Sequence, residues 1–100
     1  MESDRRQARR KEIPLRVKYQ SAGRQEETHM RDISVGGVYI KSVSPPPEGA
    51  RIRLIFSLPD GYLIEAEGTV AHRLRGVGMG VAFDPLNSEA EERIREFVDS

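Results

Sequence analysis

The sequence predicts an all-β fold: a small six-stranded antiparallel β-barrel, preceded by a flexible basic N-terminal arm and followed by one short C-terminal α-helix. Three observations carry this expectation. Six short stretches of alternating or apolar residues are separated by Gly, Pro and Asp turn signals, the pattern of a small closed all-β domain. One stretch near the end switches to helical spacing behind a helix-start signal. The first twelve residues are dense in charge and have no apolar period, so they contribute little to a core. A chain of 100 residues suffices for one domain and not for two. Residues 1–12 are therefore the arm, and residues 13–100 the barrel with its helix.

In chain order, Ile13 to Tyr19 alternates apolar and polar residues and reads as the first strand, with Ile13, Leu15, Val17 and Tyr19 inward. Pro14 belongs where no ladder donor is needed. Ser21-Ala22-Gly23-Arg24 is a turn, Glu27 to Ile33 a second strand, and Val38 to Lys41 a third. Ser44-Pro45-Pro46-Pro47-Glu48-Gly49 is a stiff connector. Ala50 to Leu58 alternates strictly, with Ile52, Leu54, Phe56 and Leu58 on one face, and Pro59-Asp60-Gly61-Tyr62 turns it into a hairpin with Leu63 to Arg73. On that return strand Ile64, Ala66, Val70 and His72 share a parity. Gly78 to Phe83 is the sixth strand, with Met79, Val81 and Phe83 inward; the small residues Gly78, Gly80 and Ala82 leave room for close packing on the other face. Ser88 and Glu91 fit a capping box, and Ala90, Ile94, Phe97 and Val98 follow at helical spacing.

Composition excludes several classes. The chain has no Cys, which removes disulfides, thiolate metal sites and a cysteine nucleophile together. No long apolar run and no charged-then-apolar leader is present, so neither membrane insertion nor a secretory signal is expected, and the expected compartment is cytoplasmic. No nucleophile elbow, zinc spacing or phosphate-cradling Gly-rich loop occurs. His29 and His72 lie far apart in strand patterns. No enzyme, no metal site and no cofactor is expected.

Sixteen basic and sixteen acidic residues cancel in total, but residues 1–24 carry a net +5 and residues 84–99 a net −4. The head is the candidate anion site. Within it Arg5 and Arg9 are four apart, as are Arg6 and Arg10, which puts each pair on one face. Like charges at that spacing repel unless an anion lies between them. Downstream, Asp32 and Ser34 lie two apart, so an extended backbone presents a carboxylate and a hydroxyl side by side while Ile33 points into a core. Gly36 and Gly37 after them permit positive φ or close backbone approach. Arginine forks grip phosphate oxygens or the acceptor edge of guanine, and Asp32 can accept from its donor edge. The combination implies a guanine nucleotide with more than one phosphate.

Arg6-Gln7-Ala8-Arg9-Arg10 followed by Asp32-Ile33-Ser34-Val35-Gly36-Gly37 resembles the paired signature of PilZ domains, bacterial receptors for cyclic di-GMP. Arg6 and Arg10 match the first half, in the register set by counting back from the strand ending at Tyr19; Asp32, Ser34 and Gly37 match the second. The resemblance implies that Arg6 and Arg10 hold phosphate and guanine while Asp32, Ser34 and Gly37 line the other side, with Arg9 and Gly36 beside them. Arg5 adds a further fork for a second, stacked ligand molecule. It also implies a receptor whose arm orders over the barrel when cyclic di-GMP binds, and whose output passes to another, unidentified downstream protein. Two rivals remain at this point: a barrel of the same family acting as a protein adaptor without nucleotide, and a nucleic-acid-binding barrel. The second needs exposed aromatic residues to stack bases, and with Phe56 and Phe83 inward, Tyr39 and Tyr62 poor substitutes, and no net charge, no specific nucleic acid is expected.

Overall fold

The computed structural model describes residues 9–100. Among them are seven strands, β1 (Lys11–Glu12), β2 (Arg16–Ser21), β3 (Arg24–Ile33), β4 (Gly37–Lys41), β5 (Arg51–Ser57), β6 (Leu63–Leu74) and β7 (Gly78–Phe83), and one helix, α1 (Ser88–Asp99). The strands are antiparallel in the order β1-β3-β2-β5-β6-β7-β4, and β4 returns to β3. Six strands thus close a barrel, as the alternation predicts, and β1 lies outside it along β3.

β5 and β6 form the most regular part. Their register runs without a break from Arg51↔Thr69 to Ser57↔Leu63, because a one-residue slip would turn the inward set, Ile52, Leu54, Phe56, Ile64 and Ala66, to solvent. Ile52, Leu54, Phe56 and Ile64 are buried as a result. The turn closes on Leu58 N–H donating to the Tyr62 carbonyl at 2.9 Å and Gly61 N–H to the Leu58 carbonyl at 2.8 Å, with Gly61 at φ +93°. These residues join Val17, Met30, Ile33, Ile40, Val70, Met79 and Val81 in one core, to which α1 adds Ala90, Ile94 and Val98.

Three details depart from the sequence expectations. The first strand does not run unbroken through Pro14: β1 and β2 both pair with β3, and the proline, having no N–H, interrupts the ladder between them. The last two residues of the predicted arm are therefore sheet. The helix is capped by Asn87 rather than Ser88; Asn87 is extended, and its side chain accepts from Ala90 N–H at 2.8 Å, which leaves Ser88 already helical. His72 leaves the inward parity of β6 because the register shifts between Val70↔Val81 and His72↔Gly80. The extra residue, Ala71, is a bulge that turns His72 outward.

Candidate functional site

The site forms where β1 lies against the end of β3. Lys11 pairs with Ile33 and Glu12 with Asp32, so the next step of the same register sets Arg10 opposite Ser34, on the face that Asp32 shares. Arg10 Nε donates to Asp32 Oδ1 at 2.5 Å and Nη1 to Ser34 Oγ at 3.1 Å. The order of residues along two paired strands, and not a long-range coincidence of loops, brings the arginine to the carboxylate.

A second register break prepares the carboxylate. Met30 pairs with Ile40 but Asp32 with Tyr39, two residues of β3 against one of β4. The bulge leaves both Met30 and Ile33 fully buried in the core and puts both Arg31 and Asp32 on the outer side. Arg31 Nε donates to Asp32 Oδ2 at 2.7 Å, so each carboxylate oxygen receives one arginine. Asp32 is only 4% exposed. Burial alone would raise its pKa, but the hydrogen bonds and charges of Arg31 and Arg10 outweigh that and hold the carboxyl below its ordinary value.

Ser34 organises the turn into β4. Its N–H donates to the Gly37 carbonyl at 2.8 Å, and its Oγ accepts from Gly36 N–H at 3.2 Å. Gly37 acts by close approach rather than by unusual φ, since neither glycine is among the positive-φ residues. A Cβ on Gly37 would run into the Val81 carbonyl of β7, whereas Gly36 faces open space.

Beside the arginines lies a cleft of about 370 Å³, lined in part by Arg10, Arg31, Asp32, Tyr39, His72 and Gly80. Its size suits a small molecule. The Arg31 guanidinium sits 3.9 Å from the centroid of the Tyr39 ring, and the Tyr39 and His72 rings are 6.0 Å apart and tilted by 34°. Both rings lie over the glycines of β7: a Cβ on Gly78 would meet Tyr39, and one on Gly80 would meet the His72 imidazole. The close packing predicted for the small face of β7 is therefore made by these two rings.

A model of the PilZ domain family matches residues 4–100. The chain belongs to the PilZ family. No curated protein sequence matches it. Among solved structures, the PilZ chain is similar to the Bacillus subtilis inhibitor of motility MotI/DgrA, at 20% identity with TM-score 0.82 over 90% of this chain and 47% of that one. It is similar to the PilZ domain of CeSA from a cellulose-synthesizing bacterium, at 18% identity and TM-score 0.68 over 85% and 89%. It is also similar to PlzA of Borreliella burgdorferi in complex with c-di-GMP, at 22% identity and TM-score 0.64 over 89% and 39%. At these identities the likeness is one of fold. The chain spans about half the length of MotI/DgrA and about two fifths of PlzA.

Of the residues singled out in the PilZ signature, the structure brings together Arg10, Asp32 and Ser34, with Gly36 and Gly37 forming the turn beneath them. Arg9 points elsewhere and pairs with Asp99 at 2.8 Å. Arg5 and Arg6 lie outside the described residues. Arg31, Tyr39 and His72 escaped the sequence reading. The alternate small residues of β7 were the signal for the two rings, and adjacency to Asp32 the signal for Arg31. Among the described residues, no helix is long and apolar enough to cross a membrane.

Proposed function

We propose that this chain is a cyclic di-GMP receptor, in which a guanine nucleotide with two phosphates enters the cleft beside Arg10 and Asp32 and the bound state is passed to a protein partner. The observation that carries the reading is the placement of Arg10, which the β1–β3 register brings between Asp32 and Ser34 at the mouth of a cleft lined in part by Tyr39 and His72. Membership of the PilZ family supports it, as does the likeness in fold to PlzA, a protein solved with c-di-GMP bound.

The chemistry follows from the donor set. Arg10 and Arg31 both spend hydrogen bonds on Asp32 in the free protein. A bound nucleotide offers phosphate oxygens and the guanine acceptor edge to the same guanidinium forks, and frees Asp32 to accept from the guanine amino group. The exposed His72 ring supplies a π face against which a base can lie, and the Arg31 guanidinium, backed by the Tyr39 ring, a second planar surface. Arg6, and Arg5 beside it, would close over the nucleotide from the arm, and the arm folded around its ligand is the surface a partner reads. The likeness to an inhibitor of motility supports an output through another protein.

Calorimetry with cyclic di-GMP, against GTP and cyclic GMP as controls, tests this reading. Binding of cyclic di-GMP alone is expected. Arg10→Ala removes a charge-assisted contact of about 1.5 to 3 kcal/mol and weakens binding on the order of tenfold to a hundredfold. Equal affinity in that variant contradicts the site.

A further inference from the structure

Arg10 is flanked by two residues that reach the opposite way. The root of the arm is extended, so its side chains alternate between faces, and Arg9 and Lys11 turn from the cleft toward the end of α1. Arg9 Nη1 donates to Asp99 Oδ1 at 2.8 Å. Lys11 Nζ donates to Ser100 Oγ at 2.8 Å and to the Ser100 carbonyl at 3.2 Å, and lies 5.0 Å from the centroid of the Phe97 ring. The last turn of α1 contains no basic residue of its own, so the negative end of its dipole is met by cations that the arm supplies.

We infer that Arg9, Lys11, Phe97 and Asp99 form a clasp that fixes the arm root from its far side, making the C-terminal end of α1 a positioning element for Arg10. Asp99 and Phe97 do not line the cleft, and they act on the ligand only through the arm. β1 is two residues long and pairs with β3 alone, so its own ladder gives it little hold. The clasp anchors Arg9 and Lys11 and leaves Arg10 between them with one direction to point. By reciprocity, whatever favours the docked arm also favours an ordered end of α1, which makes this helix end the place where occupancy of the site is felt at a distance. The inference rests on the nucleotide reading above for its effect on affinity, but the clasp itself has a readout without ligand.

A charge exchange tests it. Cyclic di-GMP affinity is measured for the wild type, Arg9→Asp, Asp99→Arg and the double variant. Each single change is expected to weaken binding by about two- to fivefold, the range of an exposed ion pair, and the double exchange to return it to within about twofold of wild type. A double variant as weak as Arg9→Asp overturns the clasp, because Arg9 would then act on the ligand directly. Undiminished affinity in Asp99→Arg overturns it as well. Amide exchange in the ligand-free protein separates this from the nucleotide reading. The Ile13 N–H, bonded to the Arg31 carbonyl at 3.1 Å, is expected to exchange severalfold faster in Asp99→Arg and to recover in the double variant. Unchanged exchange there contradicts the clasp whatever the nucleotide does, while absent binding in the wild type contradicts only the nucleotide reading.

Discussion

The β5–β6 hairpin and the β1–β3–β4 corner belong to one barrel but are built in opposite ways. In the hairpin Ile52, Leu54, Phe56, Ile64 and Ala66 are all buried on one face and the ladder keeps a single register over its whole length. In the corner the ladder slips by one residue in β3, a proline splits the first strand, and a carboxylate is buried on the outer side of the sheet. The same kind of slip in β6 turns His72 toward the same cleft. Regular pairing makes the barrel stable. Irregular pairing re-aims polar and aromatic side chains outward, and the candidate site sits where three such irregularities meet.

This contrast yields separable effects. Leu54, fully buried on the regular hairpin, should cost about 2 to 5 kcal/mol of stability when changed to Ala, read by denaturant unfolding, with nucleotide affinity of the folded protein unaltered. A loss of affinity there would break the separation. At the border between the regions, Gly37→Ala pushes a Cβ against the Val81 carbonyl and should destabilise by about 1 to 3 kcal/mol; unchanged unfolding would show that β4 can shift freely. On the irregular side, His72 is exposed, so His72→Ala should leave the unfolding midpoint in place while lowering cyclic di-GMP affinity by about fivefold, roughly the 1 kcal/mol at the low end for one stacking contact.

The smallest effect is electrostatic. The Asp32 carboxyl titrates below its ordinary value of 3.8, since two arginines favour its charged form. A group whose folded pKa is depressed stabilises the fold fully above its unfolded value, and that contribution is lost as pH falls through the folded value. Stability of the wild type should therefore drop more steeply than that of Asp32→Asn below about pH 4. A carboxyl-carbon titration of Asp32 centred at or above 3.8 would contradict the arrangement of the two arginines.

Legibility in the sequence followed the same division. β5, its turn and β6 as far as Val70 can be read directly, because strict alternation with Gly61 and Pro59 leaves one solution. Asp32 and Ser34 were legible as neighbours, and so was the arm's positive charge. The pairing of Lys11-Glu12 with β3 was not, since two charged residues carry no apolar period and their hydrogen bonds are to backbone. Nor were the bulges at Arg31 and Ala71, because an inserted residue has no compositional mark; its effect appears only as the two inward residues Met30 and Ile33 standing three apart. The helix start was off by one for a related reason, with Asn87 and Ser88 both able to cap and only the extended backbone at Asn87 deciding between them.

Amide chemical-shift mapping during a cyclic di-GMP titration tests most directly whether the irregular corner is the binding surface. Shifts are expected in Arg9 to Glu12, Arg31 to Tyr39, and the Ala71, His72 and Gly80 strip, with Arg51 to Leu58 unmoved. Shifts centred on the β5–β6 hairpin, or none at saturating ligand, would contradict the account.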